Sequence, residues 1–136
     1  MAAICYQQET ITAEEFAALL QASGLAQRRP ADDLERLQRM LDHANLTITA
    51  RREEDGGLVG IARSLTDWSF ATYLSDLAVD AAMAGQGIGR QLIEETRQAG
   101  GRQATLLLIA APDAVSFYER IEMPRCERAF VYERES

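Results

Sequence analysis

A strand that runs into a glycine-rich turn, and from there directly into a helix, constrains this chain more than any other feature. Residues 72–79 alternate apolar and polar side chains and are rich in strand formers, and beyond the turn Ile88, Leu92 and Thr96 recur at helical spacing. Gly85, Gly87 and Gly89 therefore sit at the junction. The first backbone N–H groups of a helix have no intrahelical partner, and the macrodipole places partial positive charge at that end. Glycines have no Cβ, so an anion can approach such amides closely. The predicted chemistry is main-chain binding of a phosphate or pyrophosphate, with no lysine needed.

Spacing separates the phosphate motifs that compete for this turn. A Walker A loop ends in Gly-Lys followed by Ser or Thr, and this chain contains no lysine. A dinucleotide fingerprint G-x-G-x-x-G needs a third glycine three residues after the second, where this chain has Arg90 in one register and Leu92 in the other. The stretch Ala84-Gly-Gln-Gly-Ile-Gly89 instead resembles the Q/R-x-x-G-x-G/A signature of the GCN5-related N-acetyltransferases (GNAT), and the preceding Leu77-Ala-Val-Asp80 looks like that family's fourth strand. Downstream, Ala110-Ala-Pro-Asp-Ala-Val-Ser-Phe-Tyr-Glu-Arg120 follows the apolar run 104–109 and resembles the family's tyrosine helix. The resemblance is close over roughly residues 58–123 and rests on element order elsewhere.

The resemblance implies the GNAT acyl-CoA N-acyltransferase fold, an α/β arrangement. Its central sheet is mostly antiparallel, with one parallel βαβ unit and helices on both faces. The length suits one domain over residues 1–136. Pattern alone places strands at 3–8, 46–50, 58–65 and 71–79, with Asp55-Gly56-Gly57 reversing the chain between the second and third. Thr12 and Glu15 match a capping box that opens a helix through about Ala22, and a second helix follows Pro30 over 32–44. The order continues with a helix over 86–99, a strand over 104–110, a helix over 113–120 and a last strand near 129–133.

The implied cofactor is acetyl-coenzyme A, used as a cosubstrate. By resemblance, Ala84, Gly85, Gln86, Gly87, Ile88, Gly89 and Arg90 hold its pyrophosphate, and the backbone of Leu77, Ala78 and Val79 pairs with the pantetheine arm. An amide on that strand would polarise the thioester carbonyl. Tyr118 is the candidate proton donor to the departing thiolate, since a phenol near pKa 10 can donate to a thiolate whose acid is near 8.5. Its alternative is aromatic core, together with Phe117. Asp76, the carboxylate inside the fourth strand, is the candidate general base; the alternative is a structural carboxylate paired with an arginine such as Arg63. A glutamate on the fifth strand, used by some protein-acetylating relatives, has no counterpart in 104–109. Three positions depart from the family pattern: Ala84 for Arg or Gln, Ala111 for Asn, and Glu122-Met123 for Gly-Phe.

The remaining residues carry weaker signals. His43 reads as solvated surface, and Trp68 and Tyr73 as either pocket wall or core. The net charge of −7 argues against a nucleic-acid partner and favours a cationic acceptor such as an amine. No run has the length of a membrane span or the layout of a signal peptide, so a soluble cytoplasmic protein is expected, with Cys5 and Cys126 reduced and no metal site. The reading is therefore an N-acetyltransferase that moves an acetyl group directly to a primary amine of a small molecule or peptide. A non-catalytic CoA or acyl-CoA sensor on the same fold is the alternative, ahead of a dinucleotide-dependent oxidoreductase. The final strand leaves a sheet edge that a second subunit could cover, giving a homodimer.

Overall fold

The computed structural model describes residues 3–135. Its elements in chain order are β1 (Ile4–Gln8), α1 (Ala13–Ser23), α2 (Leu34–His43), β2 (Leu46–Arg52), β3 (Leu58–Thr66), β4 (Ala71–Val79), α3 (Ile88–Gly100), β5 (Thr105–Leu107) and α4 (Val115–Arg120). Short 3-10 turns at Leu25–Arg28, Ala81–Met83 and Pro112–Ala114 lead out of α1, out of β4 and into α4. The strands form one sheet in the order β1-β2-β3-β4-β5. The first three pairings are antiparallel, and β4 pairs with β5 in parallel.

Local chemistry accounts for the element ends. The Thr12 hydroxyl accepts the Glu15 N–H at 3.0 Å while the Glu15 carboxylate accepts the Thr12 N–H at 3.1 Å, so α1 starts on a complete capping box. Asp33 caps α2 by accepting the Arg36 N–H at 3.0 Å, which sets the start of that helix at Leu34 rather than at Asp32. In the β2–β3 hairpin the Asp55 carboxylate accepts the Gly57 N–H at 2.9 Å.

Each face of the sheet buries its own core. On one side α3 lays Ile88, Leu92 and Ile93 against Ile48, Ala62 and Leu74, and Phe117 and Tyr118 of α4 pack on the same cluster. On the other side α1 and α2 set Phe16, Leu20, Leu37 and Leu41 against Ile61 and Ala78. The mixed sheet with helices on both faces agrees with the expected fold class. No helix of the described residues is long and apolar enough to cross a membrane.

Two expectations fail at one place. The fifth strand spans only three residues, Thr105–Leu107, instead of 104–110, and the expected last strand over 129–133 does not form. β5 is the outermost strand, paired on one side only and over three positions. A strand-forming composition makes a strand only where a partner completes the ladder, and neither segment has that partner within the described chain.

Candidate active site

The cradle is built by the exit from β4. Asp80 accepts the Ala82 N–H at 2.9 Å and so caps the 3-10 turn, whose buried Met83 pins the loop to the core. Gly85 and Gly87 then take φ of 81° and 79°, the left-handed region that side-chain-bearing residues avoid. A Cβ at either position would meet no atom within 4 Å, so these glycines serve backbone direction and leave the loop open above them. Gly87 is the N-cap of α3 and no side chain caps the helix; its first intrahelical bond runs from the Gln91 N–H to the Gly87 carbonyl at 3.0 Å. The amides of Ile88, Gly89 and Arg90 therefore precede the ladder of helix bonds. The Gln86 side-chain oxygen beside them is buried with no hydrogen-bond partner among the described residues. These features suit an anion held by main chain.

Not every residue of the signature has the same use. Ala84, Gly85, Gly87 and Arg90 are exposed, whereas the Ile88 side chain belongs to the α3 core. Gly89 is buried, and a Cβ there would stand 2.9 Å from the Phe117 ring. Its lack of a side chain lets α4 approach the first turn of α3, which brings the two sequence motifs together. The Phe117 and Tyr118 rings meet edge to face, with centroids 5.0 Å apart.

Beside the cradle the sheet opens. The β4–β5 register ends at Tyr73 opposite Leu107, so Leu77, Ala78 and Val79 lie beyond the last paired position. They form one wall of a cleft of about 400 Å³; residues 111–114 form the opposite wall, and the turn after α1 contributes Leu25 and Arg28. Tyr118 is half-buried, and burial raises its hydroxyl above the usual 10.0 while the positive charge of Arg29 pulls the other way.

Asp76 sits deeper, wholly buried, and each of its oxygens receives a guanidinium. Arg29 Nε donates to Oδ1, and Arg29 also donates to the Ser75 and Arg28 carbonyls, both at 2.8 Å. Arg63 Nε donates to Oδ2, with further bonds to the Met40 carbonyl and the Ser75 hydroxyl, both at 3.0 Å. Two cations around one anion leave an excess positive charge inside an acidic protein. Arg29 carries no sequence signal beyond its place in an arginine pair; the need of a buried carboxylate for partners is what points to it.

Other expected positions lie away from the cleft. His43 is exposed at the end of α2, and Cys5 and Cys126 are free and exposed. Trp68 and Tyr73 stand partly exposed at the opposite end of β4, Trp68 in a turn with φ of 62°, and they line neither the cleft nor a core cluster. Glu122 takes φ of 61° where the family pattern has glycine, so the left-handed turn after α4 survives the replacement.

Comparison with known proteins agrees with this fold. A sequence model of the acetyltransferase (GNAT) domain matches residues 8–131. The uncharacterized N-acetyltransferase ycf52 of Porphyra purpurea is 32% identical over 94 residues, covering 65% of this chain and 53% of its own length. The chain spans about half the length of the curated relatives it matches. Among solved structures, a GNAT-family acetyltransferase from Streptococcus pneumoniae superposes with TM-score 0.71 at 25% identity, over 99% of this chain and 100% of that one. An aminoglycoside N-acetyltransferase in complex with CoA shares the fold with TM-score 0.71 at 17% identity, over 100% of this chain and 97% of that one.

Proposed function

Because the chain belongs to the acetyltransferase (GNAT) domain family, we propose that it transfers an acetyl group from acetyl-coenzyme A directly to a primary amine of a small molecule or peptide. One observation carries the reading: β4, which offers Leu77, Ala78 and Val79 to the cleft, leads directly into the open glycine turn and the uncapped start of α3, and Gly89 lets α4, the helix that carries Tyr118, pack on that first turn through Phe117. Acetyl-coenzyme A, when bound, supplies an activated acetyl thioester and a thiolate leaving group.

The chain's own residues supply the rest. The amides at 88–90, freed by Gly85 and Gly87, hold the pyrophosphate, with Gln86 placing its buried oxygen toward a donor on the ligand. The backbone of Leu77, Ala78 and Val79 takes the pantetheine arm as an added strand and orients the thioester carbonyl. Tyr118 keeps its proton on Oη at neutral pH, because burial disfavours the phenolate; as the amine nitrogen bonds to the acetyl carbon and the C–S bond breaks, Oη gives that proton to the departing sulfur and regains one shed by the nitrogen through solvent. The excess positive charge around Asp76 favours a thiolate nearby and a neutral amine over an ammonium. In this reading Asp76 anchors Arg29 rather than taking the amine's proton, since both of its oxygens are already engaged. Among the described residues no cysteine lines the cleft, in keeping with transfer without an acyl-enzyme. We place the reaction in the cytoplasm, where thiols stay reduced.

The exposed Ala84, which brings no polar side chain to the loop, is the observation that favours a second reading as a CoA-binding module without turnover. Thermal melts and kinetics decide between them. CoA at about 100 times its Kd should stabilise the fold by about 2.7 kcal/mol, and NAD should not. Turnover of acetyl-CoA against an amine panel should fall by about 10²–10³ in Tyr118→Phe, with CoA stabilisation retained. Stabilisation by CoA with no turnover of any amine would favour the second reading; a response to NAD alone would reject both.

A further inference from the structure

Charge is sparse in the cleft, and what there is comes unpaired. Among its lining side chains only Arg28 and Asp113 are charged, Arg28 on the turn after α1 and Asp113 on the turn that opens into α4. Both are exposed, and neither side chain has an ion pair or hydrogen bond among the described residues. Fixed charges of opposite sign that share a cleft without neutralising each other leave two places for a ligand's own charges.

Each charge is carried by a backbone that is already tied down. Arg29 donates to the Arg28 and Ser75 carbonyls, both at 2.8 Å, and its Nε holds the buried Asp76, so the turn bearing Arg28 is fastened to β4. Pro112 restricts the other turn, and the Ala114 N–H closes it on the Ala111 carbonyl at 2.8 Å. A side chain on a fixed backbone loses less freedom when a ligand arrives.

We infer that the acceptor is an amino acid or a similarly short aminocarboxylate, its carboxylate received by Arg28 and its amine by Asp113. This rests on the acetyl-transfer reading, which requires an amine in the cleft beside the β4 wall. A guanidinium presents parallel N–H groups that match the two oxygens of a carboxylate, and a carboxylate accepts from an amine or ammonium. Size points the same way: a cleft of about 400 Å³, shared with the end of the pantetheine arm, lies toward the small end of the roughly 300–1,000 Å³ that ligand sites span. The net charge of −7 favours a cationic acceptor at long range, but Arg28, with Arg29 and Arg63 behind it, outnumbers Asp113 and Asp76 around the cleft. A polyamine would set an extra ammonium against that excess, whereas a zwitterion brings a carboxylate to it.

Isothermal titration of the standard α-amino acids and their carboxamides into the whole chain, with and without saturating CoA, tests the assignment separately from turnover. At least one free acid is expected to bind about tenfold or more tighter than its amide, and Arg28→Gln to bring that ratio close to one. Asp113→Asn should weaken acid and amide alike, because both keep the amine. Binding with this pattern but no turnover of acetyl-CoA would reject the transfer reading and support the inference. Absence of binding by every acid, an acid preference that survives Arg28→Gln, or a spermidine affinity above that of every acid overturns the inference, and turnover of amines in the same preparation would leave the transfer reading intact. An Arg28→Gln loss confined to CoA binding also overturns it, by assigning the guanidinium to the cofactor.

Discussion

Gly89 shows how one missing side chain can matter for two reasons. The family signature places it among residues that approach a phosphate, but its surroundings are the Phe117 ring, 2.9 Å from where a Cβ would stand. Gly89→Ala should therefore cost about 1–3 kcal/mol of stability by overpacking, and Phe117→Leu in the same chain should return most of it. Gly85 answers to a different cause. Its φ of 81° with open space around it makes Gly85→Ala a backbone problem of about 1–2 kcal/mol, which no second-site truncation relieves. Urea unfolding of the two single variants and the Gly89 double variant checks the distinction. The sequence made the glycines legible as a turn; it could not say which of them faces open space and which faces protein, because that depends on where α4 lands.

Among elements, the decisive contact is the one that fastens the α1–α2 connection to β4. Asp76 binds Arg29 from that connection and Arg63 from β3, and Arg63 in turn holds the Met40 carbonyl of α2. Breaking a buried ion pair by removing its charge from one side typically costs about 3–5 kcal/mol, so Asp76→Asn should destabilise by about 3 kcal/mol. If Asp76 anchors the connection, the variant raises the KM for the amine while the pH–rate profile keeps its shape. A profile that loses its acidic limb would return the base role to Asp76. The capping box at Thr12 and the hairpin at Asp55 were readable from sequence because each is decided within a few residues. The length of β5 was not, because ladder hydrogen bonds require a partner strand that local pattern does not reveal.

For the whole molecule, the acid limit of stability has an identifiable contributor. Glu9 follows β1 and receives hydrogen bonds from Arg51, Thr49 and Gln7, and these hold its carboxyl at about 2, below 4.5. A depressed carboxylate pKa means that the unfolded chain takes up the proton first. The stabilisation is then complete above about pH 4.5 and is lost as pH falls toward 2. The difference in urea midpoint between wild type and Glu9→Gln should therefore be largest at neutral pH and shrink across that window. A difference that stays constant down to pH 2 would show that the pairing does not set it.

By itself the sequence determined what is local or periodic: the strand–turn–helix junction, the Thr12 capping box, the order of elements as far as α4, and the helix that carries Tyr118. Only the tertiary structure decided what depends on distant residues meeting. Arg29 and Asp76 are 47 positions apart, and nothing in the spacing of either announces the other. The same holds for Gly89 under Phe117 and for the bare edge of β5, since burial and strand pairing are properties of the packed chain rather than of any window along it.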